Sequence, residues 1–123
     1  MSKTITLDWF PEPQEHDYPA AASYLTLIYP PGQVKKLVKK LRHAPMSEFH
    51  AKDVFRASRL PLLGRENYHV KKNRAKIAKG LKISPILLVR DEVNGKVVIA
   101  DGFHRMCAVY TFDEDAMLPC KIV

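Results

Sequence analysis

Val98-Ile-Ala-Asp-Gly-Phe-His-Arg-Met-Cys-Ala-Val-Tyr110 changes its hydrophobic period within a few residues. Val97 to Ala100 is an unbroken apolar run of strand length, His104 to Phe112 fits a helix, and Asp101-Gly102 stands between them as a turn. The segment therefore reads as strand, glycine turn and helix, with His104 and Arg105 in the first helical turn. The open amides and positive dipole end of a helix N-terminus favour an anion. Gly102 admits positive φ and lets an oxygen approach the backbone. Arg105 can hold a phosphate through two parallel hydrogen bonds, and His104 can donate a hydrogen bond or move a proton. Two such side chains opposing the dipole imply an anion between them. Arg105 also has internal partners to hand, Asp101 or the Asp113-Glu114-Asp115 loop, so a purely structural pairing stands beside the phosphate reading.

Upstream, Pro85 to Val89 is a second apolar run, and Asn94-Gly95 between the two runs is a hairpin signal. Downstream, Leu118 to Val123 reads as a last strand. Lys71 to Lys79 is a short basic helix ended by Gly80, and Pro61 to Asn67 a loop before it. Further back, Val34, Leu37, Val38 and Leu41 mark an amphipathic helix with Lys35, Lys36, Lys39, Lys40 and Arg42 on its wet side. Ala20 to Tyr29, with Pro19 at its start, predicts a buried helix. Residues 48–52 read as a short strand, Asp53 as the cap of a helix over Val54–Arg59, and residues 3–10 as a weakly alternating strand. Trp9 and Tyr18 are expected to pack. Strands and helices mix without strict alternation, which predicts one small α+β domain, a mixed sheet with packed helices.

The chain has 123 residues, enough for one domain, and its hydrophobic and charged fractions of 46% and 27% exclude a disordered class. No apolar run approaches the roughly 20 residues of a membrane helix, and the N-terminus lacks a signal-peptide core, so a cytoplasmic protein with no membrane partner is expected. Cys107 and Cys120 are too few for a disulfide framework and form no CxxC pair, so both are read as reduced thiols. The net charge is +7 and unevenly placed. Residues 1–30 carry Lys3 against four acids, and residues 91–123 carry three basic residues against six acids; residues 31–90 hold 16 Lys and Arg against Glu48, Asp53 and Glu66. A basic middle between acidic ends favours a polyanion, although lysines also simply solvate helix faces. The five histidines show no HxH, HExxH or finger spacing, and GxxxxGKS and GxSxG are absent. Asp101 with His104 can hold a divalent ion accompanying a nucleotide, but Asp101 fits a turn cap better.

Asp-Gly-Phe-His-Arg-Met-Cys-Ala at 101–108 resembles the Gly-x-His-Arg-x-x-Ala box of the ParB/sulfiredoxin-like superfamily. The resemblance runs through Val70 and Ile77, the Ser84–Arg90 strand and the hairpin to Leu118–Val123. It covers about residues 60–123 as a core, with residues 1–59 an N-terminal helical elaboration matching nothing nameable. It implies a site for nucleotide phosphates, ATP or CTP with accompanying Mg2+, at Gly102, Phe103, His104 and Arg105. It also brings His69, Lys72 and Lys76 to the nucleotide from the preceding helix, where Lys72, Lys76 and Lys79 share one face. The sulfiredoxin catalytic cysteine position is Phe103 here, so sulfinic-acid repair is not expected. The arginine-rich box of ParB is altered by Phe103-His104, and the length leaves no room for ParB's DNA-reading domain.

Two functions follow. In the first, the Asp101–Arg105 turn binds a nucleotide or nucleic-acid phosphate, and nuclease or NTPase activity known in the superfamily would use His104 as proton donor or acceptor and Arg105 as a charge stabiliser. No carboxylate pair for two-metal catalysis is evident, which weakens the nuclease version. In the second, a non-catalytic DNA- or RNA-binding module uses the basic 31–90 region through Lys35, Lys36, Lys39, Lys40, Lys71 and Lys79. An adaptor that keeps the fold and has lost the ligand is a third reading.

Overall fold

A computed structural model describes residues 6–123, and the alternation of side chains along its two central strands organises it. The elements are α1 (Asp17–Leu25), α2 (Pro31–His43), β1 (Ser47–His50), α3 (Ala51–Ser58), α4 (Tyr68–Ala78), β2 (Ile86–Asp91), β3 (Lys96–Asp101), α5 (Phe103–Phe112) and β4 (Met117–Ile122). The four strands form one mixed sheet in the order β1-β4-β2-β3, with β4 parallel to β2 and the outer pairings antiparallel. The fold is α+β.

Both central strands read as continuous apolar runs because both faces of the sheet are covered. Ile86, Leu88, Val97 and Ile99 pack with Val54 of α3, Val70 and Ile77 of α4 and Met106 to Val109 of α5. Leu87, Val89, Val98 and Ala100 pack on the other face with Tyr18, Ala21 and Leu25 of α1 and Val34 and Leu41 of α2. The N-terminal helices α1 and α2 are thus one of three layers. β2 and β3 meet through the 92–95 turn, where Gly95 takes φ +62°, and Gly80, at φ +72°, follows α4.

The elements of the C-terminal third fall close to where the periodicity places them; the N-terminal ones shift. α1 begins at Asp17, so Pro19 sits in its first turn, where a missing N–H breaks no helical bond. The helix stops at Leu25 rather than Tyr29, because the next amides fold back as tight turns: Leu27 N donates to Tyr24 O and Ile28 N to Leu25 O. Leu27 is left 82% exposed, so an apolar run here did not mean burial. α3 begins directly after β1 because the Ala51 and Lys52 amides donate to Ala116 O and Glu114 O. Asp53 therefore lies inside the helix, 3.5 Å from Arg56, and is not its cap. Of the strand expected over 3–10, residues 3–5 lie outside the described residues. Trp9 makes an isolated parallel bridge to Ile83, and Tyr18 is buried. Cys107 and Cys120 are both buried. Burial pushes the Cys107 thiol up, against a backbone hydrogen bond from Leu63 that acts the other way. Burial likewise pushes Cys120 up to about 12, with Glu48 adding to it, which favours the protonated thiol at both positions.

Candidate functional site

The turn between β3 and α5 is built by a β-bulge. Leu87 pairs with Asp101 and Leu88 with Ile99, so Ala100 is an extra residue on β3. Two residues opposite one keep successive side chains on the same side of the strand. Asp101 consequently lies on the same face as Leu87, the face that α1 covers. Gly102 follows at φ +106°, a conformation that costs a residue with a Cβ about 1–2 kcal/mol. A Cβ there would also lie 2.6 Å from Ile86 Cδ1 and 3.0 Å from an Arg105 nitrogen. The close approach that the glycine allows is therefore made by the protein's own side chains.

Arg105 runs under this turn. Its Nε donates to Ser84 O at 3.0 Å, and one terminal nitrogen donates to Pro85 O at 3.2 Å and to Asp101 Oδ2 at 2.8 Å. Both side chains are largely buried, at 17% and 16% exposure. Of the two readings of Arg105, the internal pairing with Asp101 is the one observed, and the anion that offsets its charge at the helix N-terminus belongs to the chain. The polar chain continues: Ser84 Oγ donates to Gln14 Oε1 at 2.6 Å, and Gln14 N donates to the buried Asp17 at 2.9 Å. Burial raises the pKa of Asp101, against the lowering effects of Arg105's charge and hydrogen bond; Asp17 raises it further and His16 lowers it. Asp17, Ser84 and Gln14 had no signal in the sequence, because their importance depends on the turn lying against the start of α1.

His104 faces the opposite way. Its ring lies 4.8 Å from that of His69, which is itself 5.3 Å from the ring of Tyr68; Phe103, half-buried against the core, is 5.7 Å from His104. Burial lowers the pKa of His104, and His69 pushes it the same way. This adjacency arises because α4 and α5 run parallel. His69 meets His104 near both starts, while Arg74, one turn or so later on α4, donates to Thr111 and sits 3.9 Å over the Phe112 ring on α5. Two positive helix ends therefore lie side by side. That of α4 is capped by Asn67, whose Oδ1 accepts from the His69 and Val70 amides. That of α5 has no side-chain cap; its first helical bond runs from Met106 N to Gly102 O, so the preceding amides of Phe103, His104 and Arg105 lie outside the helical ladder.

Lys71, Lys72, Lys76 and Lys79 are exposed, with Lys72 and Lys76 on the helical face that carries His69, and among the described residues no carboxylate pairs with them. Lys35, Lys36, Lys39 and Lys40 are exposed on α2. Because α2 and α4 cover opposite faces of the sheet, the basic middle of the sequence forms two separate surfaces. Asp101 is committed to Arg105, and no group of three metal-ligating side chains occurs among the described residues, so the side chains here do not fit a resident divalent ion. Among the described residues no helix is long and apolar enough to cross a membrane. Compared with family models, curated proteins and solved structures, the chain finds no match in any of the three.

Proposed function

We propose that this chain is a ParB/sulfiredoxin-like protein that binds a nucleotide or nucleic-acid phosphate at the start of α5. One observation carries the reading: His69 and His104 lie ring to ring between two parallel helix N-termini, one of them uncapped, with no carboxylate among the described residues paired to either. Such a place is short of negative charge. A phosphate there accepts from the open α5 amides and from both imidazoles, and Lys72 and Lys76 add long-range attraction. Arg105 acts from below, holding the turn through Ser84, Pro85 and Asp101. Any Mg2+ is carried by the nucleotide's own phosphates. In a nuclease or NTPase version, His104 gives a proton to the leaving oxygen or takes one from water.

A thermal-shift panel of ATP, CTP and GTP, with and without Mg2+, tests this, since a ligand that binds only the folded state raises Tm. One nucleotide should raise Tm for the wild type and fail to do so for His104→Ala and His69→Ala. If none does, and wild type and His104→Ala bind short DNA alike, the reading is wrong. The second reading, a non-catalytic DNA- or RNA-binding module, rests on α2. There Lys35, Lys36, Lys39 and Lys40 are exposed without a paired carboxylate among the described residues, and binding would weaken steeply with salt. Replacing those four by Gln would abolish DNA binding under that reading and leave nucleotide binding untouched under the first.

A further inference from the structure

On the other flank of α5, an open groove of about 830 Å3 runs along α3 and the 59–61 segment beside Tyr110 of α5, lined by Lys52, Asp53, Phe55, Arg56, Arg59 and Tyr110 together with Leu60 and Pro61. Its size falls in the range of small-molecule sites. The Phe55 and Tyr110 rings, 5.1 Å apart and inclined at 60°, give it an aromatic wall. Its charges are largely matched: Lys52 pairs with Asp115, and Asp53 is 3.5 Å from Arg56 and 3.8 Å from His50. Arg59 is exposed, with one terminal nitrogen beside Gly95 of the β2–β3 turn, and has no carboxylate partner among the described residues, so its guanidinium can swing to an incoming anion. Arg59 is also the one non-glycine residue among the described residues with positive φ, at +58°. It closes α3 in the left-handed conformation where Gly or Asn is the usual choice. The conformation turns the chain into Leu60-Pro61, while Ser58 Oγ donates to Phe55 O and accepts from Leu60 N. An unfavourable residue at a helix end, carrying the unmatched charge of a groove, is what a ligand site leaves behind when function and stability conflict.

We propose that this groove binds a small aromatic anion, with its ring against Tyr110 and its phosphate or carboxylate on Arg59. The ring supplies apolar contact and the fork of the guanidinium fixes orientation, so both halves of the ligand are needed. The site is separate from the phosphate site at the start of α5 and stands or falls without it.

The probe is 1-naphthyl phosphate, titrated into the full chain by calorimetry and by amide chemical shifts. Saturable binding is expected, with shifts at residues 55–61 and around Tyr110, and with 1-naphthol and inorganic phosphate each about tenfold weaker when read at those residues. Arg59→Gly should weaken binding about tenfold while raising Tm by about 3 °C, because glycine takes the left-handed conformation without strain. Tyr110→Leu should weaken binding as well. His104→Ala should leave the shifts at residues 55–61 and Tyr110 unchanged, while removing any second set of shifts at the start of α5. No saturable binding to the wild type, equal binding by Arg59→Gly and Tyr110→Leu, loss in His104→Ala of the shifts at residues 55–61 and Tyr110, or a lower Tm for Arg59→Gly would each overturn the proposal.

Discussion

Helices α2 and α4 are both short and lysine-rich, and the sequence treats them alike. The fold does not. α2 lies against α1 on one face of the sheet, with its lysines exposed and Pro30 at its N-terminus making no side-chain cap. α4 lies parallel to α5 on the other face, so that its first turn meets the uncapped end of a second helix and His69 meets His104. Equal charge thus gives a surface of lysines in one place and, in the other, lysines beside two imidazoles and an uncapped helix end. What distinguishes them is the direction of neighbouring backbone dipoles and the presence of two groups that can donate hydrogen bonds at short range.

The comparison is broken most severely by destroying the turn that starts α5. Gly102→Ala should cost about 4 kcal/mol in chemical denaturation, combining left-handed strain with a Cβ forced against Ile86. Arg105→Met removes one partner of a largely buried ion pair and leaves Asp101 and two carbonyls without their donor. A loss of about 3 kcal/mol is expected by the same measurement. His104→Ala should fold normally and lower affinity for phosphate or nucleotide about tenfold by calorimetry, roughly the contribution of one charge-assisted hydrogen bond.

His104 also makes the α4–α5 side of the molecule sensitive to pH. His104 has a folded pKa below the ordinary 6.5, so the unfolded chain binds its proton first. Its contribution to stability is complete above 6.5 and is lost as pH falls through the range down to the folded value; bound phosphate should reverse this by raising that value. An NMR titration of the His104 ring, with and without phosphate, reads both signs, and an upward-shifted His104 without phosphate would contradict the structure. Asn67→Ala, which uncaps α4, should cost about 1 kcal/mol in thermal unfolding. The smallest effect belongs to α2: Lys35, Lys36, Lys39 and Lys40 changed together to Gln should move stability by no more than about 0.5 kcal/mol and phosphate affinity by less than twofold.

The strand, glycine turn and helix around Asp101 were legible because each has a local signature: a β-branched run, a residue that tolerates positive φ, and a change of period. The hairpin at Asn94-Gly95 was legible for the same reason. The two fates of Arg105 were both visible, but choosing between them required knowing that Ser84 and Pro85 lie beneath the turn. The place of His69 came only from resemblance, because 35 residues separate it from His104 and their meeting depends on α4 and α5 running parallel. The end of α1 was misread for a different reason. Ala20 to Tyr29 is apolar nearly throughout, broken only by Ser23 and Thr26, and carries too weak a period to mark where burial stops. Nothing local foretold the left-handed Arg59, since arginine is a poor occupant of that conformation.

The sheet's second face has a consequence for any attempt to work with half of this chain. Leu87, Val89, Val98 and Ala100 are kept dry by α1 and α2, and β4 is kept from being an edge by β1. A fragment beginning at residue 60 would show water four apolar strand residues and an unpaired row of β4 amides and carbonyls. It would look for a replacement partner, and another copy of itself is the nearest one available. Oligomers or inclusion bodies from such a fragment would therefore report the loss of a layer and not a native mode of assembly.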